Sequence, residues 1–317
     1  MKGKLTVTGV NKVFFVFAVI FIAFSVLMAP LKSLFGIDLA NHIYVVILIN
    51  EFIIILVPCL IYIKRNKISF KETLKFKKLS PLAAFLIILA ALPACYIGTA
   101  LNNLVLYGLQ FIGDIPAQPI PAPQNVTQLI IGILIIAGTP AICEELLNRG
   151  LILRAYERRG SIKAIAVTGL FFGFFHFDIT NFLGPVFLGC LFSYYVLKTG
   201  SIFAGMLAHF LNNAIAELFS YLARNQQLPE NHLTVTAADL RSILLLGVIG
   251  LIFLSVILIF FRFVRRGYQF KPSISRLKDD IVSIFSHWPI IVVVVLYILM
   301  FALTIAVMIY TKNSAVY

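Results

Sequence analysis

The sequence predicts an all-α, polytopic membrane helical bundle, from its composition, its long apolar runs and the placement of its basic residues. Of its 317 residues, 61% are hydrophobic and only 12% are charged, whereas a soluble domain carries about 25% charged residues. The mean hydropathy is +0.99. We therefore expect an integral membrane protein whose main surroundings are the lipid bilayer.

Nine runs of the sequence approach the ~20 apolar residues that a helix needs to cross a bilayer. We expect about nine transmembrane helices, with a core of eight helices or fewer. The predicted spans are residues 13–31, 42–63, 81–112, 127–148, 162–178, 182–198, 201–222, 242–261 and 288–311.

The basic residues alternate between the segments that join these spans. Of the 26 lysines and arginines, 22 fall in segments on the same side as the N-terminus. Because basic loops stay in the cytoplasm, we expect the N-terminus in the cytoplasm and the C-terminus outside. The expected membrane is a bacterial cell membrane. The net charge of +13 agrees with this orientation, and we expect no nucleic-acid partner, since no nucleic-acid motif is present.

Polar residues stand out where the fourth predicted span ends. Glu145 and Arg149 are spaced i,i+4, which predicts an ion pair on one helix face. Glu144 is then turned about 100° away without a local partner, and Pro140 is expected to bend the helix. Burying a carboxylate in mid-membrane costs at least ~2.5 kcal/mol for Asp. An unpaired Glu144 at this place therefore indicates a functional residue.

The other mid-membrane polar groups are His176, His209 and Asn213. His209 and Asn213 are four residues apart and share one helix face, which Glu217 continues. Such a stripe faces the bundle interior. It either joins helices by hydrogen bonds or works with Glu144.

A glutamate, two histidines and an asparagine suit hydrolysis of a carbonyl compound, most simply a peptide bond. The glutamate can act as general base on a water that an imidazole orients, while histidine and asparagine N–H groups hold the oxyanion. Alternatively, two imidazoles and a carboxylate bind a zinc ion. No serine or cysteine stands in a nucleophile motif.

Three motifs, Glu144-Glu145-Leu-Leu-Asn-Arg149, Phe172-Gly-Phe-Phe-His176 and His209-Phe-Leu-Asn-Asn213, resemble in order the signature of the CPBP family. This family contains CAAX-type prenyl endopeptidases and proteins of bacteriocin processing or immunity. The resemblance covers about residues 81–222 and implies an intramembrane endopeptidase.

By this resemblance Glu144 is the catalytic base, His176 positions the water, and His209 and Asn213 stabilise the oxyanion. Glu145 and Arg149 are the structural pair. We expect no required cofactor, because Asn213 is a poor zinc ligand and the His-Glu-x-x-His pattern is absent. The alternative is zinc held by Glu144, His176 and His209.

The resemblance divides the chain into three parts: residues 1–80, with two membrane helices and a basic cytoplasmic loop; the catalytic core, 81–222; and residues 223–317, with two further membrane helices. The expected partner is a peptide or lipidated protein held in the membrane, such as a bacterial pheromone or bacteriocin precursor. The rival function is a non-catalytic immunity or scaffold protein that binds a peptide or membrane partner. A proton-coupled transporter is disfavoured, because the sequence shows no internal repeat.

One geometric difficulty accompanies this hypothesis. At ~1.5 Å per residue, Glu144 falls near the cytoplasmic end of its predicted span, whereas His176 falls toward the opposite end of its own. The two helices must therefore tilt or kink if these side chains are to meet.

Overall fold

The computed structural model describes residues 5–28, 30, 34–36, 39–116, 120–225, 232–264, 270–273, 276, 278 and 286–314. Its elements, in chain order, are α1 (Val7–Met28), α2 (Ile43–Arg65), α3 (Phe70–Leu74), α4 (Pro81–Leu109), β1 (Ile115–Pro116), α5 (Val126–Arg159), α6 (Ser161–Phe174), α7 (Leu183–Thr199), α8 (Ile202–Ala223), β2 (His232–Leu233), α9 (Ala237–Phe260) and α10 (Trp288–Ser314).

The predicted polytopic helical bundle is confirmed. Within the described residues, eight helices are long and apolar enough to cross a membrane. The fifth predicted span, 162–178, corresponds to the shorter helix α6, which has 14 residues. It stops early because Phe177 adopts a left-handed backbone conformation, with φ of 48°, and Asp178 then caps a short 3-10 turn through the Thr180 N–H.

Helix α5 is longer than predicted. It has 34 residues and continues to Arg159, although the predicted span ended at residue 148. Arg149 was expected in a cytoplasmic loop, but it lies inside this helix and only 1% of its surface is exposed. The loop assignment of Arg149 was therefore wrong: its charge is paired inside the bundle and does not mark the membrane surface.

The segment 64–80 corresponds to the basic cytoplasmic loop predicted after the first two membrane helices and carries seven lysines and arginines. It forms only the single turn α3, and Leu74 is buried against Gly150 of α5. The carbonyls of Lys75 and Lys77 accept hydrogen bonds from Ile202 N and Ser201 Oγ. This segment is thus packed onto the bundle.

The segment 113–126 contains four prolines, which disfavour a helix and favour extended backbone. Its described part includes β1, which pairs antiparallel with β2 through Ile115 and Leu233. Ile115 packs with Leu109, Met308, Ile179 and Leu233 in a small apolar cluster. These contacts bring the ends of α4, α6 and α10 together at one face of the bundle.

Close backbone approach joins α6 to α7. A Cβ atom added at Gly189 would lie 2.8 Å from Gly169 Cα and 2.9 Å from Phe172 Cβ. These neighbours are backbone or the base of a side chain, so they have little room to move. Small residues at such crossings allow helices to pack tightly in membranes.

We predict that Gly189→Ala forces α6 and α7 apart and destabilises the protein by about 1–3 kcal/mol, as overpacking does elsewhere. The matched control is Gly108→Ala in α4, where an added Cβ meets no atom within 4 Å. Thermal unfolding of the detergent-solubilised proteins compares the two. Equal melting temperatures for both variants would contradict the close α6–α7 packing.

Candidate active site

Glu144, His176, His209 and Asn213 line one cavity of about 400 Å³ between α4, α5, α6, α7 and α8. Glu144 lies on α5, His176 just beyond the end of α6, and His209 and Asn213 on α8. The rest of its wall is formed by Cys95, Gly98, Thr99, Asn102, Asn103, Leu106, Phe172, Thr180, Asn181, Gly184, Pro185, Leu188, Phe192, Asn212, Ala216 and Leu233.

Glu145 connects two of the helices beside this cavity. Its Oε1 accepts a hydrogen bond from Arg149 Nη1, which confirms the predicted ion pair. The same oxygen lies 3.1 Å from His209 Nδ1 on α8. All three side chains are buried. Glu145 therefore does more than pair with Arg149, since it also orients His209.

Arg149 is held from several directions. Its Nη2 donates to the Gly189 carbonyl of α7 at 3.0 Å, and its guanidinium lies 4.7 Å from the ring centre of Phe172 and 5.3 Å from that of Phe192. Two aromatic faces and a carboxylate thus surround a cation that is out of contact with water.

Glu144 faces the cavity. Its Oε2 lies 4.0 Å from His209 Nε2 and forms no hydrogen bond with any described residue. Buried carboxylate oxygens are normally hydrogen-bonded. The orientation of Glu144 therefore suits a hydrogen bond to a water or a substrate group within the cavity.

His176 lies just beyond the last turn of α6. Its Nδ1 is 2.9 Å from the Phe172 carbonyl, which is an acceptor only, so Nδ1 carries the hydrogen and Nε2 is left with its lone pair. The Phe172 ring stands at 90° to both imidazoles, with centre distances of 5.4 Å to His176 and 5.5 Å to His209. The Phe172 ring thus contacts the imidazoles of both histidines.

Asn213 is positioned by a hydrogen bond to a backbone carbonyl that Pro140 deprives of its usual helical donor. Proline has no N–H to donate to the carbonyl four residues earlier, which is that of Ile136, and Asn213 Nδ2 donates to this carbonyl at 3.3 Å. Asn212 Nδ2 lies 3.3 Å from Asn213 Oδ1. An amide nitrogen carries two hydrogens, so one remains for the cavity.

The helix around Glu144 is irregular on both sides. Wider π-type turns occupy Ile133–Gly138 and Leu146–Ile152, and regular α-helix lies between them. Such turns often accompany functional sites. Pro140 explains the first of them, because its missing N–H interrupts the regular hydrogen-bond ladder.

The mismatch in depth between Glu144 and His176 disappears with the true helix lengths. Helix α5 has 34 residues, or roughly 51 Å, and Glu144 is near its middle. Helix α6 has 14 residues, or roughly 21 Å, which is shorter than the ~30 Å hydrocarbon core. His176 at its end therefore stays within the bundle interior.

A zinc site is not assembled by these side chains. Among the residues that the structure describes, no three His, Cys, Asp or Glu side chains are close enough together to ligate one metal ion. The conformation thus does not fit the zinc alternative for Glu144, His176 and His209.

Two further groups escaped the sequence analysis as parts of this site. Asn102 donates to Asn181 Oδ1 at 2.8 Å and accepts from Gly184 N at 2.7 Å, which fixes the turn between α6 and α7 at the cavity wall. The sequence feature that could have indicated Asn102 is the polar pair Asn102–Asn103 inside an apolar run. Phe172 was read only as part of an aromatic helix face.

We predict that Glu145→Gln destabilises the protein by about 3–5 kcal/mol, because it leaves the Arg149 charge buried without a counterion. The yield of folded protein in mild detergent measures this. Arg149→Met in the same chain should recover much of the loss, since it removes the uncompensated charge. If the destabilisation of the double variant equalled the sum of those of Glu145→Gln and Arg149→Met, the two residues would not be coupled and this prediction would be contradicted.

Residues 126–215 match the family model described as Rce1-like, type II CAAX prenyl endopeptidase. The match begins with α5, ends within α8 and includes the four cavity residues singled out above. No curated protein and no solved structure matches the chain. The resemblance to the CPBP family predicted from the three motifs is confirmed, and residues 126–215 are the CAAX-endopeptidase-like part of this integral membrane protein.

Proposed function

We propose that the chain is an intramembrane endopeptidase that hydrolyses a peptide bond of a membrane-associated peptide or protein with water activated by Glu144. The observation that carries this proposal is the single cavity shared by Glu144, His176, His209 and Asn213. The match of the same segment to a CAAX endopeptidase model supports it.

In the proposed reaction, the Glu144 carboxylate takes a proton from water as the water oxygen attacks the peptide carbonyl carbon. His176 Nε2 accepts a hydrogen bond from the second water hydrogen, since its Nδ1–H is already bound to Phe172 O; this hydrogen stays on the water oxygen and leaves with the carboxyl product. The tetrahedral intermediate then collapses, and Glu144 returns its proton to the leaving amine. Atoms and protons balance without a covalent intermediate.

The oxyanion is assigned to Asn213 and His209. The remaining Nδ2 hydrogen of Asn213 is directed by its bond to Ile136 O. His209 presents Nε2 to the oxyanion, and Glu145 Oε1, 3.1 Å from Nδ1, fixes the ring in that orientation. Preorganised donors of this kind are each worth about 3–4 kcal/mol of transition-state stabilisation.

We expect Glu144→Gln to abolish proteolysis while the protein stays folded and inserted, because the amide keeps the shape but is not a base. Comparative peptidomics of cells carrying each version, followed by assay of the purified proteins on the peptides found, measures this. The matched control is Glu217→Gln, which changes a buried carboxylate on the same face of α8 outside the cavity wall.

Full turnover by the Glu144→Gln protein would refute Glu144 as the base. If no peptide differs between the cells and the purified chain instead binds a membrane partner tightly, the non-catalytic scaffold function replaces the protease.

A separate prediction concerns metal. We expect the purified enzyme to keep its activity after treatment with a strong chelator, since the proposed steps use only the protein's side chains. Metal analysis of the active protein accompanies the assay. Loss of activity on chelation, with recovery on adding zinc alone, would overturn the glutamate mechanism and leave the protease assignment in place.

A further inference from the structure

The active-site cavity extends toward one end of the bundle. On α4 its wall runs from Cys95 to Leu106, toward the end of that helix at Leu109. On α8 it runs from His209 to Ala216, toward the end at Ala223. Helix α4 thus contributes only its C-terminal half and α8 the middle of its length, while α7 contributes Gly184 and Pro185 at its N-terminal end.

The same end of the bundle carries the pairing of β1 with β2. Leu233 of β2 and the turn residues Thr180 and Asn181 complete the cavity wall. Ile179 of that turn packs in one cluster with Ile115 of β1. We call this end, formed by β1, β2 and the turn Ile179–Asn181, the β1–β2 face.

The opposite end carries the basic segments, and its described parts are packed together. Ser161 N donates to Lys271 O and Lys271 N to Ser161 Oγ, while the segment 75–77 is bonded to Ser201 and Ile202. We call this end, formed by residues 64–80, 157–163, 198–202, 261–264 and 270–273, the basic face. None of its described residues lines the cavity.

Electrostatic interactions between basic residues also indicate that these segments lie close together. Burial, followed by the nearby cations Arg154, Lys77 and Lys271, lowers the pKa of Lys75 to about 7. Residues from three separate segments therefore meet at one place. The positive-inside rule assigns such a concentration of basic residues to the cytoplasm, which makes the β1–β2 face extracytoplasmic.

The wall also limits what the cavity accepts. Glu144 is its only carboxylate among the described lining residues, and these include no lysine or arginine. The amides at its wall are Asn102, Asn103, Asn181, Asn212 and Asn213. Amides donate to and accept from a peptide backbone without adding charge.

The hydrogen-bonding groups of the wall favour an extended peptide. An α-helix uses its backbone N–H and C=O groups within itself. An extended segment presents these groups to the wall amides and leaves the peptide carbonyl open to attack, so it is the form of peptide that suits the cavity.

We propose that the substrate reaches Glu144 from the extracytoplasmic side, as an extended peptide segment that is uncharged on both sides of the cleaved bond. The cleavage part rests on the proposed function; the direction of access rests on the cavity and on the position of the basic face, and on no activity. The substrate class is a peptide already translocated, or the unwound outer end of a membrane segment.

Cysteine labelling tests the direction of access without reference to activity. In a full-length chain whose native cysteines are replaced by alanine, Asn103→Cys probes the cavity, Leu233→Cys marks the β1–β2 face and Lys64→Cys marks the basic face. A membrane-impermeant maleimide is applied to intact cells and to inverted membrane vesicles. We expect labelling at 103 and 233 in intact cells, and labelling at 64 only in inverted vesicles.

Labelling at position 103 only from inverted vesicles would overturn the proposed access, and so would labelling at position 64 in intact cells. Correct labelling in a chain that cleaves no peptide would leave the access proposal standing and refute the protease function. The two failures are therefore distinguishable.

The charge of the substrate is tested with purified enzyme and a peptide substrate identified by peptidomics. Placing a glutamate next to the cleaved bond should lower kcat/KM at least about tenfold, because the described wall residues include no lysine or arginine to pair with its carboxylate. A glutamine at the same place, similar in length but uncharged, is the matched control. Equal values for both peptides would refute the predicted preference.

Discussion

The site depends on one buried carboxylate. Glu145 accepts from Arg149 within its own helix and from His209 on α8, and its side chain is fully buried. Charges of opposite sign attract strongly in so dry an environment, but each is costly to leave alone. The positions of α5, α7 and α8 are therefore coupled, because Arg149 also bonds to α7 through Gly189 O. This coupling fixes the His209 ring whose Nε2 faces Glu144.

Local pairing was predictable from the sequence, and long-range pairing was not. The i,i+4 spacing of Glu145 and Arg149 was sufficient to predict their ion pair. The contact between Glu145 and His209 spans 64 positions, and helical periodicity carries no information on which faces of distant helices meet. The hydrogen bond from Asn213 to Ile136 O is similar: Pro140 predicts a carbonyl without its usual donor, but not the identity of the replacement.

Helix ends were predicted least well, for a physical reason. Hydropathy treats a charge as the end of a span, so α5 was expected to stop before Arg149, although the helix continues to Arg159. The Arg149 charge is stabilised inside the bundle by Glu145, Phe172 and Phe192, which take the place of hydration. The early end of α6 depends on the left-handed conformation of Phe177, which no apolar pattern signals. Both differences bring Glu144 and His176 to the same cavity. The assignment of roles to these residues, and the division at residues 81 and 222, stay predictions.

The central claim is that Glu144, His176, His209 and Asn213 act on one peptide bond. A structure of the protein with a peptide phosphinate tests it most directly, because the two phosphinate oxygens imitate the oxyanion and the attacking water of the tetrahedral intermediate. The account predicts one oxygen within hydrogen-bond distance of Asn213 Nδ2 and His209 Nε2, and the other within that distance of Glu144 and His176. A phosphinate bound away from Glu144, or bound in the cavity with Asn213 and His209 out of reach, would contradict it.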